Sequence, residues 1–412
     1  YYAEKRYKMK KFDFNKEWQV TFVRTGMEQT VSLPHDAMRY EPRDSHQPGR
    51  GNSAWFGGGQ YLYTKYFTLE PEDQGKRIVA VSEGVYEQCE DAVNGIKAGH
   101  HHNGYTAFQV ELTDVVHFGR ENVMEVRVFN ENQPNSRWYS GSGIYRPVTL
   151  MVFEKQHILL NGIRIKTTAV DPIQVEVRVE ATESGTAHIE IEAHDGRIVA
   201  KGEVTTNGNG VSLSIPDGQV WSVETPYLYQ CRVTYGRDTV VQPFGARMIG
   251  LSKTKGLTVN HQRVILRGAC IHHDHGILGA CSYIEAEERR VALLKANGYN
   301  AIRSAHNPCS EALLDVCDRL GMLVLDEYVD VWYIHKTRYD YASRMTDKWP
   351  EDLKAMVDKD YNHPSVIMYS TGNEVAETAQ ERGIKLTEDM TAYLHGLDDT
   401  RPVTCGINIF FN

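Results

Sequence analysis

Through roughly the first 250 residues the apolar positions recur every second residue, in short runs. Residues 18–22, 61–63, 77–81 and 123–128 alternate in this way, the period of a half-buried β-strand. Pieces rich in Gly and Pro punctuate them, so residues 1–155 are expected to form a β-sandwich of the jelly-roll type. Asn94-Gly95, directly after Val93, predicts a tight hairpin turn, because both residues tolerate positive φ. Residues 156–250 repeat the pattern at 173–179 and 188–192, and their length and strand spacing predict an immunoglobulin-like β-sandwich. Residues 221–229 read as a structured loop entering a strand.

Near residue 251 the pattern changes to apolar runs separated by helix-period stretches. Strands are expected at 264–271, 301–303, 323–327, 366–371 and 403–405, with helices at 284–297, 310–320, 351–361 and 386–397. Ser310 is placed to cap the second helix. This βαβαβαβαβ order predicts the opening of a parallel barrel or of a doubly wound sheet. A closed (β/α)8 TIM barrel takes roughly 250 residues, so residues 251–412 are expected to supply only the first part of one. The joins near 155 and 250 are short, and the three domains are expected to pack closely.

Composition narrows the function classes. With 41% hydrophobic and 24% charged residues the chain reads as a soluble globular protein. No apolar run approaches a membrane span, and a formal net charge of −9 argues against a nucleic-acid surface. The start, YYAEKRYKMKKFDF, is basic and aromatic with no apolar stretch after it, so no secretory signal is expected. Seven scattered cysteines without a CxxC pair favour reduced thiols and a cytoplasmic location. Gly57-Gly58-Gly59 precedes no helix, which argues against a dinucleotide loop, and no Ser sits in a G-x-S-x-G elbow. No cofactor is expected. His100, His101 and His102 read as loop or edge residues, since adjacent strand positions face opposite sides.

Polar groups gather where the five expected strands end. The first is followed by His272, His273 and Asp274, the second by Arg303, His306 and Asn307, the third by Asp326 and Glu327, the fourth by Asn373 and Glu374, and the fifth by Asn408. In a βα-barrel, that face holds the chemistry. Singly, each tip has a plain reading: Glu374 as a solvated carboxylate opening the next helix, His272 or His306 as a structural histidine, Arg303 as a partner of Asp326 or Glu327. Jointly they read as an active site. His272, His273, Asp274, His306 and Glu327 are all ligand types, yet there is no HExxH and no fixed His-x-His pair, so no metal is expected.

The order of domains and several segments resemble glycoside hydrolase family 2, the β-galactosidase and β-glucuronidase family. The segments are residues 55–61 (WFGGGQY), 136–146 (SRWYSGSGIYR), Arg267-Gly268 leading to His272, 300–308 (NAIRSAHNP), Asp326-Glu327, and 362–366 (NHPSV) through Gly372-Asn373-Glu374. The resemblance implies a retaining exo-β-glycosidase acting on a carbohydrate substrate, a β-galactosidase ahead of a β-glucuronidase. Glu374 would be the general acid/base and Asn373 would hold the sugar 2-hydroxyl. His272, His306, Asp274 and Glu327 would line the pocket, and Arg303 would orient the nucleophile's carboxylate. A retaining enzyme needs a second carboxylate about 5 Å away. In the family it ends the seventh strand, so the nucleophile is expected beyond Asn412. The family's acid role also implies that Glu374 titrates high. Some members bind Mg²⁺ through the strand-three Glu and a His two residues on; here Glu327 is followed by Tyr328 and Val329, against such a site. Homo-oligomeric assembly is expected. A non-catalytic carbohydrate-binding fragment is the alternative of another class.

Overall fold

The computed structural model describes residues 10–408, so the basic, aromatic residues 1–9 discussed above lie outside the described residues. The first part is two antiparallel sheets facing each other. One joins Lys10–Asp13, Val148–Phe153, Arg77–Ser82 and Phe108–Glu111; the other has six strands, from Met27–Val31 at one edge to Ile96–His101 at the other. Alternation decides which side chains go inside: Trp18, Val20, Tyr61, Tyr63, Val126, Ile78 and Leu150 from both sheets share one core. Asn94 and Gly95 turn the hairpin with φ of 52° and 78°. The His triplet closes the edge strand. His101 stacks on Phe108 at 4.1 Å, and His102 is buried 3.5 Å from Asp352 of the third part, described below.

The second part packs a three-stranded sheet (Ile158–Val170, Ile173–Ala181, Val211–Ile215) against a four-stranded one built on Thr186–Glu192 and Tyr229–Tyr235. Ile165, Val175, Val177, Ile189, Ile191 and Val233 fill the space between them.

The third part is a five-stranded parallel sheet, with β1 (Gly268–Ile271), β2 (Ala301–Ser304), β3 (Leu323–Glu327), β4 (Val366–Ser370) and β5 (Val403–Thr404) in sequence order. Between them run α1 (Ile284–Ala296), α2 (Glu311–Leu320), α3 (Ala342–Asp360) and α4 (Glu381–Leu397). Ser310 caps α2, its side chain accepting from the Leu313 N–H. Three elements differ from the sequence expectation. The strand expected at 264–271 is shorter: β1 begins at Gly268, and Gln262–Arg263, ahead of it, completes a small antiparallel sheet with Ile249–Ser252 and Gly256–Val259. Helix α3 begins at Ala342 and runs through Pro350, because Ala342 and Met345 bury on the same side as Leu353, Met356 and Val357. Helix α4 begins at Glu381, one turn before its apolar stripe.

The parts are bolted together by buried donors. Trp221 Nε1 donates to Asp318 O at 2.9 Å, Arg247 donates to Pro364 O and Val366 O at 3.1 and 2.9 Å, and Arg146 Nη2 donates to Pro308 O at 2.9 Å. No described helix is long and apolar enough to cross a membrane.

Candidate active site

Parallel pairing in register brings the C-terminal ends of β2, β3 and β4 side by side. Glu327, ending β3, lies beside Ser370, ending β4. Glu327 is fully buried, and a carboxylate there must be matched by donors. Its Oε1 accepts from His306 Nδ1 at 2.8 Å and Arg303 Nη2 at 2.8 Å; its Oε2 accepts from Arg303 Nε at 3.1 Å, Arg303 Nη2 at 2.6 Å and Ser370 Oγ at 2.7 Å. Arg303 thus takes the partner that its sequence position left open. Its Nη2 also donates to Asn373 Oδ1 at 2.9 Å, and Asn373 Nδ2 donates to Asp330 Oδ1 at 2.8 Å. The Asn373 amide is engaged at both ends.

The next residue leaves this network. Gly372 lets the chain pass close against Trp332, since a Cβ there would sit 2.7 Å from Trp332 Nε1, whose N–H donates to Thr371 O at 3.0 Å. Glu374 then takes a left-handed φ of 44°, uncommon for a residue with a Cβ. Its side chain swings outward and is 57% exposed. Arg137 Nη1 donates to Glu374 Oε2 at 2.9 Å, while Nε and Nη2 of the same guanidinium donate to Asp330 Oδ2 and Oδ1 at 2.9 and 2.5 Å. Lys336 Nζ donates to Asp330 O, Asp330 Oδ1 and Asn373 O at 2.6, 3.1 and 2.6 Å.

The Arg137 hydrogen bond holds the Glu374 carboxyl below the usual glutamate range, against a smaller pull from burial. This reverses the expectation of a high-titrating Glu374, because the side chain stands in solvent beside a guanidinium. Burial works to raise Asp330; Arg137, Lys336 and Asn373 outweigh it and hold Asp330 below its ordinary value. His272 is half-buried, and its burial, with His306 beside it, lowers its titration, so the ring is neutral near pH 7. The Trp138 ring lies 5.2 Å from His272 and 5.5 Å from His306, and the two histidines are 5.4 Å apart.

The structure therefore brings together Glu374, Asn373, Arg303, Glu327, His306 and His272. It leaves Asp274 to one side: its backbone carbonyl accepts from Arg290, and among the described residues no hydrogen bond or ion pair ties its carboxylate to the network. Asp326 faces away, toward Lys359 Nζ at 3.1 Å and the Cys309 N–H at 3.0 Å. The ligand types weighed for a metal do not converge. Both Glu327 oxygens are taken by donors, and the described residues that come within ligand spacing are Asp315, Asp318 and His363, outside this network.

Residues missed from the sequence are Arg137, Trp138, Asp330 and Ser370. Arg137 and Trp138 belong to the first β-rich part, on a segment fixed by Asn130 Nδ2 to Gly141 O at 3.1 Å and the Ser142 N–H to Asp36 Oδ1 at 3.0 Å. The signal for them was the 136–146 segment itself. Lys336 reaches the mouth, and Arg338, two residues on, lies over Tyr339 at 5.0 Å. Tyr105, Trp138, His306, Asp330 and Tyr341 line a cleft between the first part and the barrel.

Two family models match the chain: glycosyl hydrolases family 2 over residues 157–247, and glycosyl hydrolases family 2, TIM barrel domain, over 251–409. A β-galactosidase of Bacteroides ovatus, BoGH2A, is 34% identical across 96% of this chain and 54% of its own length. A β-glucuronidase of Bacteroides fragilis is 28% identical across 96% of this chain and 60% of its own. The crystal structure of a glycosyl hydrolase family 2 member from Bacteroides cellulosilyticus superposes with a TM-score of 0.90 at 34% identity, covering 96% of this chain and 56% of that one. The chain thus spans a little over half the length of these relatives. Matched along nearly its whole length in sequence and in backbone, it belongs to glycosyl hydrolases family 2.

Proposed function

We propose that this chain forms the acid/base side of a retaining exo-β-glycosidase, with a β-galactoside as substrate. On this reading the first part is a jelly roll, the second an immunoglobulin-like sandwich, and the parallel sheet the opening of a (β/α)8 barrel completed by chain beyond Asn412. The observation that carries the proposal is Glu374: a carboxylate at the strand-end face, held through one oxygen, with the other open to the mouth. Glu374 protonates the leaving oxygen and then takes a proton from water. The nucleophilic Glu comes from the later chain, and its negative charge about 5 Å away raises Glu374 toward the protonated form against the pull of Arg137. Neutral His272 serves a sugar hydroxyl. The Asn373 amide reaches the 2-hydroxyl by exchanging one of its present partners. Arg303, fixed by Glu327, presents the guanidinium edge that meets the nucleophile.

The choice of galactoside over glucuronide rests on the committed cations. A glucuronide needs a cation or fixed donors for its carboxylate. Arg303 is paired with Glu327, Arg137 with Asp330 and Glu374, and Lys336 with Asp330. A pocket that offers no partner rejects a buried charge by several kcal/mol. In the full-length protein, Glu374→Gln is expected to cut turnover of an unactivated disaccharide by roughly 10²–10⁴-fold, while sparing much of the first step on aryl glycosides. Wild-type rates on the disaccharide would overturn the assignment. Parallel kcat/KM values for p-nitrophenyl β-galactoside and β-glucuronide test the sugar. A preference for the glucuronide by about a hundredfold or more, which is close to 3 kcal/mol, would reverse it.

A further inference from the structure

We infer that Arg137, reaching into the barrel mouth from the first β-rich part, is the positioning residue that orients the Glu374 carboxylate and sets its proton balance; this rests on the acid/base reading of Glu374 above. The guanidinium is used in two directions. Its Nε and Nη2 edge is locked onto both oxygens of Asp330, and only Nη1 is spent on Glu374 Oε2. Asp330 is itself fixed by Lys336 Nζ and by Asn373 Nδ2. Arg137 therefore keeps a full anchor whether Glu374 carries a proton or not, as a residue must beside a group that cycles between acid and base.

Orientation follows from the same contacts. Oε2 is tied to Arg137, and among the described residues no hydrogen bond reaches Oε1, so Oε1 is the oxygen presented to the leaving group. Proton balance follows from charge. The groups facing Glu374 are Arg137, Lys336 and Asp330, and the two cations outweigh the one anion. The ionised form is thereby favoured wherever no further anion faces Glu374, which serves the second half-reaction, where Glu374 must act as base. A like charge from the nucleophile opposes Arg137 in the first half-reaction and is neutralised once that carboxylate becomes an ester. Arg137 thus works most strongly in the step that needs a base. Because the residue comes from another folded part, the site is assembled only when that part is docked on the barrel through Arg146 and Asp36.

The test uses the full-length protein and compares wild type with Arg137→Met and Arg137→Lys in pH profiles of kcat and kcat/KM on a β-galactoside. Arg137→Met is expected to move the alkaline limb of kcat/KM to higher pH, because Glu374 holds its proton longer. It is also expected to lower kcat about two- to fivefold on an activated aryl galactoside whose second step limits, the size of a partly exposed ion pair. Arg137→Lys, which keeps the charge and loses the fork, is expected to restore the limb but not the rate. Should Arg137→Met fail to fold, Arg137→Lys still decides: a wild-type rate in that variant overturns the orienting role. A limb unmoved in Arg137→Met, with kcat/KM merely scaled, overturns the inference while leaving Glu374 in place. A limb that survives in Glu374→Gln instead overturns the reading of Glu374 on which it rests.

Discussion

Removing the Arg303 side chain isolates the buried charge on which the mouth is built. Glu327 is 0% exposed and Arg303 27% exposed, so Arg303→Met strands a carboxylate that cannot reach water. Breaking a buried pair from one side typically costs about 3–5 kcal/mol. Here His306 Nδ1 and Ser370 Oγ still donate to Glu327, which brings the expected loss to roughly 2–3 kcal/mol. Glu327→Gln should cost less, about 1–2 kcal/mol, because the partly exposed guanidinium left behind can rehydrate. The double variant should be no worse than Arg303→Met alone, giving a coupling above about 1 kcal/mol in the cycle. Calorimetry on the full-length protein reads this as a drop of about 4–10 °C in the barrel transition for Arg303→Met. A melting temperature within about 1 °C of wild type, or costs that simply add in the double variant, would show that Glu327 is hydrated or neutral and that the pair does not carry the mouth.

Asp398 is buried, and although burial opposes it, Arg401 and the Thr400 hydroxyl and N–H depress its titration to about 2. Its folded value lies below its unfolded one, so the stability it contributes is present above the ordinary value of 3.8 and is lost as pH falls toward about 2; Arg401→Met should flatten the acid slope of melting temperature, and an unchanged slope would refute this. Trp221 is fully buried and packs with Ala301, Leu323 and Ile367 of the barrel, so Trp221→Ala should cost about 3–5 kcal/mol and separate the unfolding of the second part from that of the barrel in a denaturant titration. His272→Phe keeps the ring area and loses the neutral acceptor, and it should raise KM for the galactoside by about tenfold, one hydrogen bond to a sugar hydroxyl, with stability within about 0.5 kcal/mol of wild type.

Much of this molecule is legible along the chain. Strands alternate because one face of each sheet must be dry, so the strands at 18–22 and 173–179 are legible from period two alone. The barrel elements declare themselves by apolar runs ending in Arg303, Glu327 and Asn373, since parallel strands are buried on both faces and polar side chains collect at their ends. Helix α3 is longer than its sequence pattern predicts, because the packing of Ala342 and Met345 carries it through Pro350. The state of the site was beyond the sequence for a different reason. Whether Glu374 is buried or exposed, and whether a guanidinium lies against it, depends on the docking of residue 137 onto residues 330 and 374, a contact across more than 190 positions of chain. Residue type and spacing determine which groups arrive at the mouth. Parallel register sets the contacts around Glu327, and the packing of the first part on the barrel decides that Glu374 meets a guanidinium, and so which way Glu374 titrates.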